Sequence, residues 1–222
     1  LMSGAALPAN VTSTPLWITL NEPALACWWN KGSDAERNAV PVEQTFVCGN
    51  NAVNVTNPLG ASFSCAGLLT NLPQGTQQST YYIRCTDLAN NSMQQGYSLM
   101  IRGSIPLKIT ASEPSGTLYT DDVTLLARTG EGADQGAARC QYRDAVQGGI
   151  FITFMQTGGT QHLQSLTDLL RGSYHYDFRC LDSAGNVASS SLDFVVDADT
   201  LGPQILQLYA LGDAVTFVLN EP

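Results

Sequence analysis

The sequence predicts an all-β chain made of repeated domains, on the strength of three observations. One pattern occurs twice, at residues 81–91 and 174–186, where apolar and polar residues alternate up to a cysteine. Each copy then continues through Asp into Ala-Gly-Asn or Ala-Asn-Asn, residues that favour a tight chain reversal. Charged residues make up only 13% of the chain and lysine occurs only twice, so residues that favour helices are scarce. We therefore expect strands and turns with almost no helix.

The later copy shows the clearer strand pattern. Its aromatic residues and its cysteine share one face at period two: Tyr174, Tyr176, Phe178 and Cys180. His175 falls on the opposite, polar face, as in a half-buried strand. Tyr81, Ile83 and Cys85 repeat the apolar face in the earlier copy, which indicates two domains of the same design.

The strands ahead of these copies also recur. Residues 16–23 form a strand-like run that ends at a proline, and the strand that contains Cys27 follows. Residues 123–129 and 138–142 repeat that order in the second unit. A third occurrence, at residues 213–222, ends in the same Leu-Asn-Glu-Pro as the first and stops before a cysteine strand.

Glycine and proline interrupt the strands near residues 102–106 and 197–203, where a new apolar strand then begins. The sequence therefore predicts a first domain at 1–103, a second at 104–200 and the first strands of a third unit at 201–222. A length of 222 residues suits two domains of about 100 residues each.

Position in the repeat predicts the disulfide bonds. Cys140 and Cys180 are alone in the second unit, and Cys27 and Cys85 hold the equivalent places in the first. The first unit is longer between these cysteines, and an insertion of about residues 30–70 holds two more. We expect three pairs: Cys27 with Cys85, Cys48 with Cys65, and Cys140 with Cys180. The four cysteines of the first unit still permit three connectivities, so this pairing depends on the repeat.

Composition excludes some functions and indicates a compartment. A formal net charge of -9 and a pI near 4.4 argue against nucleic-acid binding, because no basic cluster is present to neutralise phosphates. Six cysteines without a CxxC pair favour disulfides over zinc and predict a location outside the reducing cytosol. No apolar run approaches the ~20 residues of a membrane span. Because the chain begins at Leu1 without Met, we expect a processed or excerpted polypeptide.

Three Asn-x-Ser/Thr sequons, at Asn10, Asn54 and Asn90, are candidate glycan acceptors in an oxidising compartment. Chains rich in Asn, Ser and Thr also produce this pattern by chance. Glycosylation is therefore an expectation that the compartment permits and the sequence does not require.

The second unit carries the fuller set of motifs: Arg139-Cys140, Gly158-Gly159-Thr160, Gly172-Ser173-Tyr174, Arg179-Cys180, Asp182 and Ala184-Gly185-Asn186. In this combination the chain resembles the bacterial and archaeal immunoglobulin-like and fibronectin-III-like repeats of large extracellular proteins. The resemblance is to the variant with one early cysteine and one before the Asp-x-Ala-Gly-Asn turn, and it covers nearly all of residues 16–203.

The resemblance implies tandem immunoglobulin-like β-sandwiches, each with about seven short strands. Tyr81 or Tyr176 would stand where related sandwiches use a tyrosine to fix a corner, and Trp28 or Trp29 would cover the disulfide. Such repeats share a fold without sharing a chemistry, so the resemblance implies no activity.

Catalysis requires an acid, a base or a nucleophile held near a partner, and the two histidines offer little. His162 belongs to the repeat pattern and His175 lies on a polar strand face, so we expect neither to be catalytic and the chain not to be an enzyme. Calcium is the one cofactor to consider, because hard cations prefer carboxylate oxygens. The weak candidates at the unit junctions are Asp197, Asp199, Asp121 and Asp122. These acids equally serve to end strands and keep edges soluble.

Three functions fit the sequence. In the first, the chain is a non-enzymatic structural segment of an extracellular filament, stalk or surface layer, whose partners are other copies of itself or neighbouring surface domains. In the second, it is an adhesin whose insertion carries a recognition loop, with Phe46 and Phe63 as the candidate aromatics. In the third, it is a non-catalytic appendage of a secreted enzyme.

The tail after residue 203 reads as the first two strands of a third sandwich. Strands with one apolar face need a partner for both the face and the backbone edge. Either more of the third domain follows in a longer protein, or the tail completes a sheet in a neighbouring copy by strand addition.

Overall fold

The structure of the protein is a computed structural model, which describes residues 3–49, 63–198, 204–211 and 214–219. These residues form strands almost throughout. The helical residues are confined to three short 3₁₀ segments: Arg37–Ala39, Val42–Gln44 and Ala133–Gly136. The prediction of an all-β chain is confirmed.

The first unit contains seven strands: β1 (Ala5–Ala6), β2 (Ser13–Leu20), β3 (Ala24–Lys31), β4 (Thr45–Cys48), β5 (Phe63–Thr70), β6 (Gln78–Asp87) and β7 (Tyr97–Arg102). They hydrogen-bond in the order β1-β7-β6-β3-β4-β5-β2. All neighbours are antiparallel except β1, which runs parallel to β7. Strand β4 pairs with both β3 and β5 and so joins the two layers of the sandwich into one continuous sheet.

The second unit contains eight strands: β8 (Leu107–Glu113), β9 (Gly116–Leu118), β10 (Val123–Glu131), β11 (Ala138–Asp144), β12 (Ile152–Thr153), β13 (Gln161–Leu166), β14 (Gly172–Asp182) and β15 (Val187–Val196). One sheet has the order β13-β10-β8 and the other β12-β11-β14-β15-β9. The short strand β9 runs parallel to β15. This is the strand order of an immunoglobulin-like sandwich, with its first strand divided between the two sheets.

The two units share their pairing pattern. Strand β2 pairs with β5 as β10 pairs with β13, and β3, β6 and β7 follow one another as β11, β14 and β15 do. The two units differ at one strand. In the second unit β8 pairs with β10, whereas no described strand pairs with the corresponding edge of β2.

The three disulfides join neighbouring strands within a sheet. They connect Cys27 to Cys85, Cys48 to Cys65 and Cys140 to Cys180, the pairs that the repeat predicts. In each pair the two cysteines lie directly opposite each other, with Cα atoms 4.0 or 4.1 Å apart. In antibody domains, by contrast, the conserved disulfide joins the two sheets.

Each sandwich encloses its own core around its disulfide. Trp29 is fully buried on the same strand face as Cys27, and its indole Nε1 donates to the carbonyl of Leu68 at 3.1 Å. Of the two tryptophans expected at the disulfide, Trp29 therefore packs in that core. Trp28 is buried on the other face, where its Nε1 donates to the carbonyl of Ala35 at 2.9 Å.

The corner tyrosine differs between the two units. The Tyr81 hydroxyl donates to the carbonyl of Asn71 at 3.0 Å, and burial raises its pKa to about 12. In the second unit the equivalent bond comes from Tyr174, whose hydroxyl donates to the carbonyl of Leu170 at 2.7 Å. The expectation for Tyr176 is thus corrected, because its ring packs instead beside the rings of Tyr174 and Phe194 in the core.

The insertion is shorter than residues 30–70. Cys65 lies on β5, a strand that the second unit matches with β13, so the Cys48–Cys65 disulfide fixes the sandwich itself. Phe46 is buried in the core, where its ring fills the space beside Gly67, and Phe63 is half-buried. Neither is an exposed aromatic of the kind that a recognition loop would present.

The tail forms a hairpin of β16 (Ile205–Leu211) and β17 (Ala214–Leu219). The two strands pair antiparallel, as β8 and β10 do in the second sandwich. Three apolar side chains of β16 are exposed by 63 to 65%: Ile205, Leu206 and Leu208.

Peptide mapping without reduction checks the disulfides. We expect peptides that link the three pairs above, and reduction of the 40-residue span between Cys140 and Cys180 should cost about 4 kcal/mol of unfolding free energy on the chain-entropy model. Urea unfolding with and without reductant measures that loss. Recovery of a Cys27–Cys48 or Cys65–Cys85 peptide would contradict the pairing.

Candidate functional site

A buried carboxylate organises the turn between β14 and β15. The Oδ1 atom of Asp182 accepts hydrogen bonds from the backbone N–H groups of Ala184 (3.0 Å) and Asn186 (2.9 Å). Its Oδ2 atom accepts from the backbone N–H of Ala133 (2.7 Å) and from the Asn186 side chain (2.8 Å). Asp182 therefore holds its own turn and fastens it to the 3₁₀ segment that follows β10.

These bonds also explain how Asp182 tolerates burial as an anion. Burial disfavours the charged carboxylate, but hydrogen bonds from Ala133, Asn186 and Ala184 outweigh it and hold the Asp182 pKa below its ordinary value of 3.8. The stability that this supplies is present above pH 3.8 and is lost as the pH falls through the lower folded-state pKa.

Asn186 extends this network to the first sandwich. Its Oδ1 atom accepts from the backbone N–H of Ala9 at 2.7 Å, and its Nδ2 atom donates to the Ser104 hydroxyl at 2.9 Å. Ser104 in turn donates to the carbonyl of Leu7 at 2.6 Å. Asn186, Ser104 and Leu7 are all at least 90% buried, so the two sandwiches meet at a joint that is closed to solvent.

Gly132 is a requirement of this joint. Its φ of 66° lies in the left-handed region, and a Cβ atom there would approach Asp182 Oδ2 to 2.7 Å and Leu107 Cδ1 to 2.9 Å. A side chain at this position would displace the carboxylate that holds the turn.

The rim of the joint is polar and open. Asp134 accepts a hydrogen bond from the Ser183 hydroxyl at 2.5 Å and lies 3.5 Å from the Arg102 guanidinium. Arg102 and Asp134 border a cleft of about 460 Å³ between the sandwiches. Since Arg102 and Asp134 are both nearly half exposed, this ion pair contributes little stability.

The joint connects opposite ends of the two sandwiches. Leu7 and Ala9 follow β1 at the end of the first sandwich where the parallel strand β7 finishes. The turn of Asp182 and Asn186 lies at the end of the second sandwich where the equivalent strand β15 begins. The sandwiches therefore follow each other head to tail.

The first sandwich has the same turn between β6 and β7. Asp87 Oδ1 accepts from the backbone N–H of Asn91 at 2.7 Å, and Oδ2 accepts from its side chain at 2.8 Å. These bonds to Asn91 lower the Asp87 pKa. Asn91 is exposed, so this turn carries the local bonds of the joint without the buried contacts.

His162 is a core residue in a satisfied neutral form. Its Nδ1 lies 2.8 Å from Thr157 Oγ1 and its Nε2 lies 3.0 Å from Thr129 Oγ1, which donates to the carbonyl of Gly136 at 2.7 Å. His162 Nε2 must therefore donate to Thr129. Burial lowers the His162 pKa from its ordinary value of 6.5.

His175 lies on the polar face of β14, as the sequence predicts. Its Nδ1 is 2.5 Å from Asp193, and that hydrogen bond raises its pKa. The two histidines thus have opposite shifts and lie on different sheets, with no shared site between them.

Among the residues that the structure describes, the calcium candidates do not form a cluster of carboxylates. The Asp197 carboxylate lies 2.5 Å from the guanidinium of Arg171, a cation where a calcium site would need further oxygen ligands. Asp121 and Asp122 are joined to their neighbours through backbone carbonyls, and Asp199 lies outside the described residues. Among the described residues the groups of close metal-ligating atoms all contain disulfide sulfurs, which are not free to bind metal.

Of the sequons, Asn10 and Asn90 are exposed in turns with φ of 65° and 66°, open to a glycan. Asn54 lies outside the described residues. Glycosylation stays a prediction at all three positions.

The sequence did not predict that Arg84 is buried and ion-paired. It is buried in β6, where it pairs with Glu36 and Asp34 of the insertion and donates to the carbonyl of Met93 at 2.7 Å. Arg179, which also precedes a cysteine, is exposed. The acidic residues of the insertion are one difference between the surroundings of the two arginines.

No protein-family profile matches the sequence, and no functionally characterised protein matches it. Among solved structures, the chain is similar to the fibronectin(III)-like modules of CbhA from Clostridium thermocellum, with 10% identity, a TM-score of 0.47, and 89% of this chain and 91% of that one covered. It is also similar to a three-domain immunoglobulin segment of titin, with 14% identity, a TM-score of 0.47, and 91% of this chain and 65% of that one covered. The similarity to a marsupial T cell receptor has 16% identity, a TM-score of 0.44, and 97% of this chain and 78% of that one covered.

The strand pairing defines the class: the chain consists of disulfide-bonded sandwiches of the immunoglobulin and fibronectin-III type. Such domains are typical of extracellular and multidomain proteins. The described residues contain no helix long and apolar enough to cross a membrane.

Asn186→Ala should loosen the joint. It leaves the Ala9 N–H and the Ser104 hydroxyl without this partner, a loss of about 1–3 kcal/mol for buried polar groups. Calorimetry measures the loss, and ¹⁵N relaxation should show the two sandwiches tumbling more independently. Asn91→Ala is the matched control, since it removes the same local turn bond without buried contacts. Equal effects of the two changes would contradict a special role of the joint.

We predict that the unfolding free energy depends on pH through two histidine contributions of opposite sign. Below pH 6.5 the unfolded chain protonates His162 more readily than the folded chain does, so unfolding free energy should fall with acidification. The His175 contribution has the opposite sign: it is full below 6.5 and is lost as the pH rises through its raised pKa. Urea titrations of wild type and His175→Gln test this, and an NMR titration of the His162 ring should give a midpoint below pH 6.5. A His162 that charges at its ordinary pKa would contradict its buried role.

Proposed function

We propose that the chain is a non-enzymatic structural segment of an extracellular filament, stalk or surface layer built from tandem immunoglobulin-like sandwiches. One observation carries the proposal: the Asp182–Asn186 turn bonds to Ser104 and Ala9 and fixes consecutive sandwiches through a buried joint. Domains joined in one chain tend by default to move relative to each other, and buried hydrogen bonds across the junction oppose that motion. A fixed joint suits a protein whose role is length and stiffness.

The disulfides support the same role. Each sandwich carries at least one, and the described chain contains no free cysteine. A segment outside the cell must stay folded without chaperones to rescue it, and disulfides that close long loops stabilise it by several kcal/mol, on the order of 2–4 each. A location at the cell surface is consistent with this chemistry.

The titratable side chains that could take part in chemistry are engaged in structural hydrogen bonds. Both nitrogens of His162 are bonded to threonine hydroxyls, and His175 lies next to Asp193 on an exposed strand face. The buried Asp182 carboxylate has all its contacts within the joint. An adhesin role gains no support from Phe46, which is buried.

Immunogold labelling of intact cells tests the proposal. Antibodies against the second sandwich should label an extended surface structure at regular intervals. Labelling confined to the culture medium, or co-purification with one catalytic subunit, would favour an enzyme appendage and contradict the structural role.

A further inference from the structure

The first sandwich has an apolar groove along the free edge of β2. Five consecutive residues of β2, from Leu16 to Leu20, line it on one side, so the groove follows the strand's backbone edge. Residues of β6 and β7, among them Tyr97 and Leu99, line the other side, together with Met93. Its volume is about 340 Å³.

The second sandwich shows what fills this place. There β8 pairs with β10, the counterpart of β2, and packs against β15, the counterpart of β7. Leu107 of β8 is buried in the core, and Ser112 lies 3.2 Å from Ser190 of β15. The groove of the first sandwich is therefore the position of a strand equivalent to β8, and no described strand of the first unit fills it.

The tail contains a strand of the required kind. A proline precedes β16 by two residues as Pro106 directly precedes β8, and β16 pairs with β17 as β8 pairs with β10. The sequence of β17 runs into Leu-Asn-Glu-Pro, as β2 does at residues 20–23. Strand β16 thus already pairs with a strand that resembles β2.

The two surfaces also match in chemistry. Trp17 is 69% exposed and Tyr97 60% exposed at the groove, while Leu206 and Leu208 are 65% and 63% exposed on β16. Neither β2 nor β16 contains a charged residue. The net charge of -9 therefore produces no repulsion between charged side chains of these two strands. Large aromatic and aliphatic side chains around an unpaired backbone edge favour strand addition.

The groove also adjoins the free turn of the first sandwich. Met93 and Leu20 line both the groove and a neighbouring depression that reaches Asp87 and Asn91. The equivalent turn in the second sandwich is the one that holds a preceding domain. A neighbouring copy that reached the groove would therefore arrive at a surface already used for head-to-tail contact within the chain.

Building on the proposed structural function, we propose that the occupant of this groove is β16 of a second copy of the chain. In this strand exchange β16 leaves its hairpin partner β17 and lies between β2 and β7 of the other copy, as β8 lies between β10 and β15. Its backbone supplies the hydrogen bonds that complete the edge of β2, and Leu206 and Leu208 are covered. Each copy thus offers a strand from its tail and receives one in its first sandwich, which links copies head to tail.

Photocrosslinking of the intact chain tests this contact. One preparation carries p-benzoylphenylalanine in place of Trp17, and it is mixed with a ¹⁵N-labelled wild-type preparation. We expect mass spectrometry to find crosslinks from position 17 to the β16 peptide in mixed-isotope pairs. Crosslinks to β16 of the same copy alone, or to residues that precede Leu1 in a longer mature polypeptide, would overturn the proposal.

Sedimentation velocity supplies the second measurement. The double variant Leu206→Lys and Leu208→Lys should weaken self-association by at least about tenfold, because it places two charges in an apolar contact. Ile150→Lys is the control, since it adds charge to a side chain that is 83% exposed in the second sandwich, away from both surfaces. Circular dichroism checks that the variants stay folded.

The outcomes separate this contact from the proposed function. A wild-type chain that stays monomeric, or a tail variant that associates like Ile150→Lys, overturns strand exchange even if the chain labels the cell surface. Mixed-isotope crosslinks together with loss of association in the tail variant support strand exchange, whatever the labelling shows.

Discussion

The carboxylate of Asp182 is the interaction on which the arrangement of the two sandwiches depends. A buried charge is costly unless donors surround it, and here backbone and side-chain N–H groups from two segments converge on it. Because those donors belong to the β14–β15 turn and to Ala133, the charge orders both. Asn186, held by the same carboxylate, is thereby aimed at Ala9 and Ser104. One local turn thus sets the position of a neighbouring domain.

The strands and their partners were predictable because alternation and cysteine placement are local signals that repeat. The joint was not predictable from the sequence, because Leu7 and Ala9 contribute only backbone groups to it. Every residue has these groups, so they do not show in the pattern of side chains. The burial of His162 was not predicted for another reason: it lies in a polar run, and its ring nitrogens are satisfied by the hydroxyls of Thr129 and Thr157. The corner tyrosine was misplaced by two residues, because either Tyr174 or Tyr176 fits the inward face.

The repeat itself accounts for both similarity and difference between the units. Equivalent turns, disulfides and strand pairs follow from equivalent sequence, whereas Arg84 pairs with Asp34 and Glu36, which the insertion of the first unit supplies. The edge of β2 is the other difference, and it lies beside the apolar surface of Tyr97. Function in such a protein resides in what differs between units, because what they share is the fold.

The disulfides within the sheets have a mechanical consequence. Tension along the chain enters and leaves each sandwich through its terminal strands, and a covalent bond between Cys140 and Cys180 carries load past the 40 residues between them. The Cys27–Cys85 bond does the same over a separation of 58 residues. Since each extended residue adds up to ~3.5 Å of contour length, the residues inside each disulfide loop add nothing to the length that unfolding releases while the bond is intact. A sandwich whose strands had been pulled apart would therefore lengthen only by the residues outside its disulfide loop before the covalent chain bore the force.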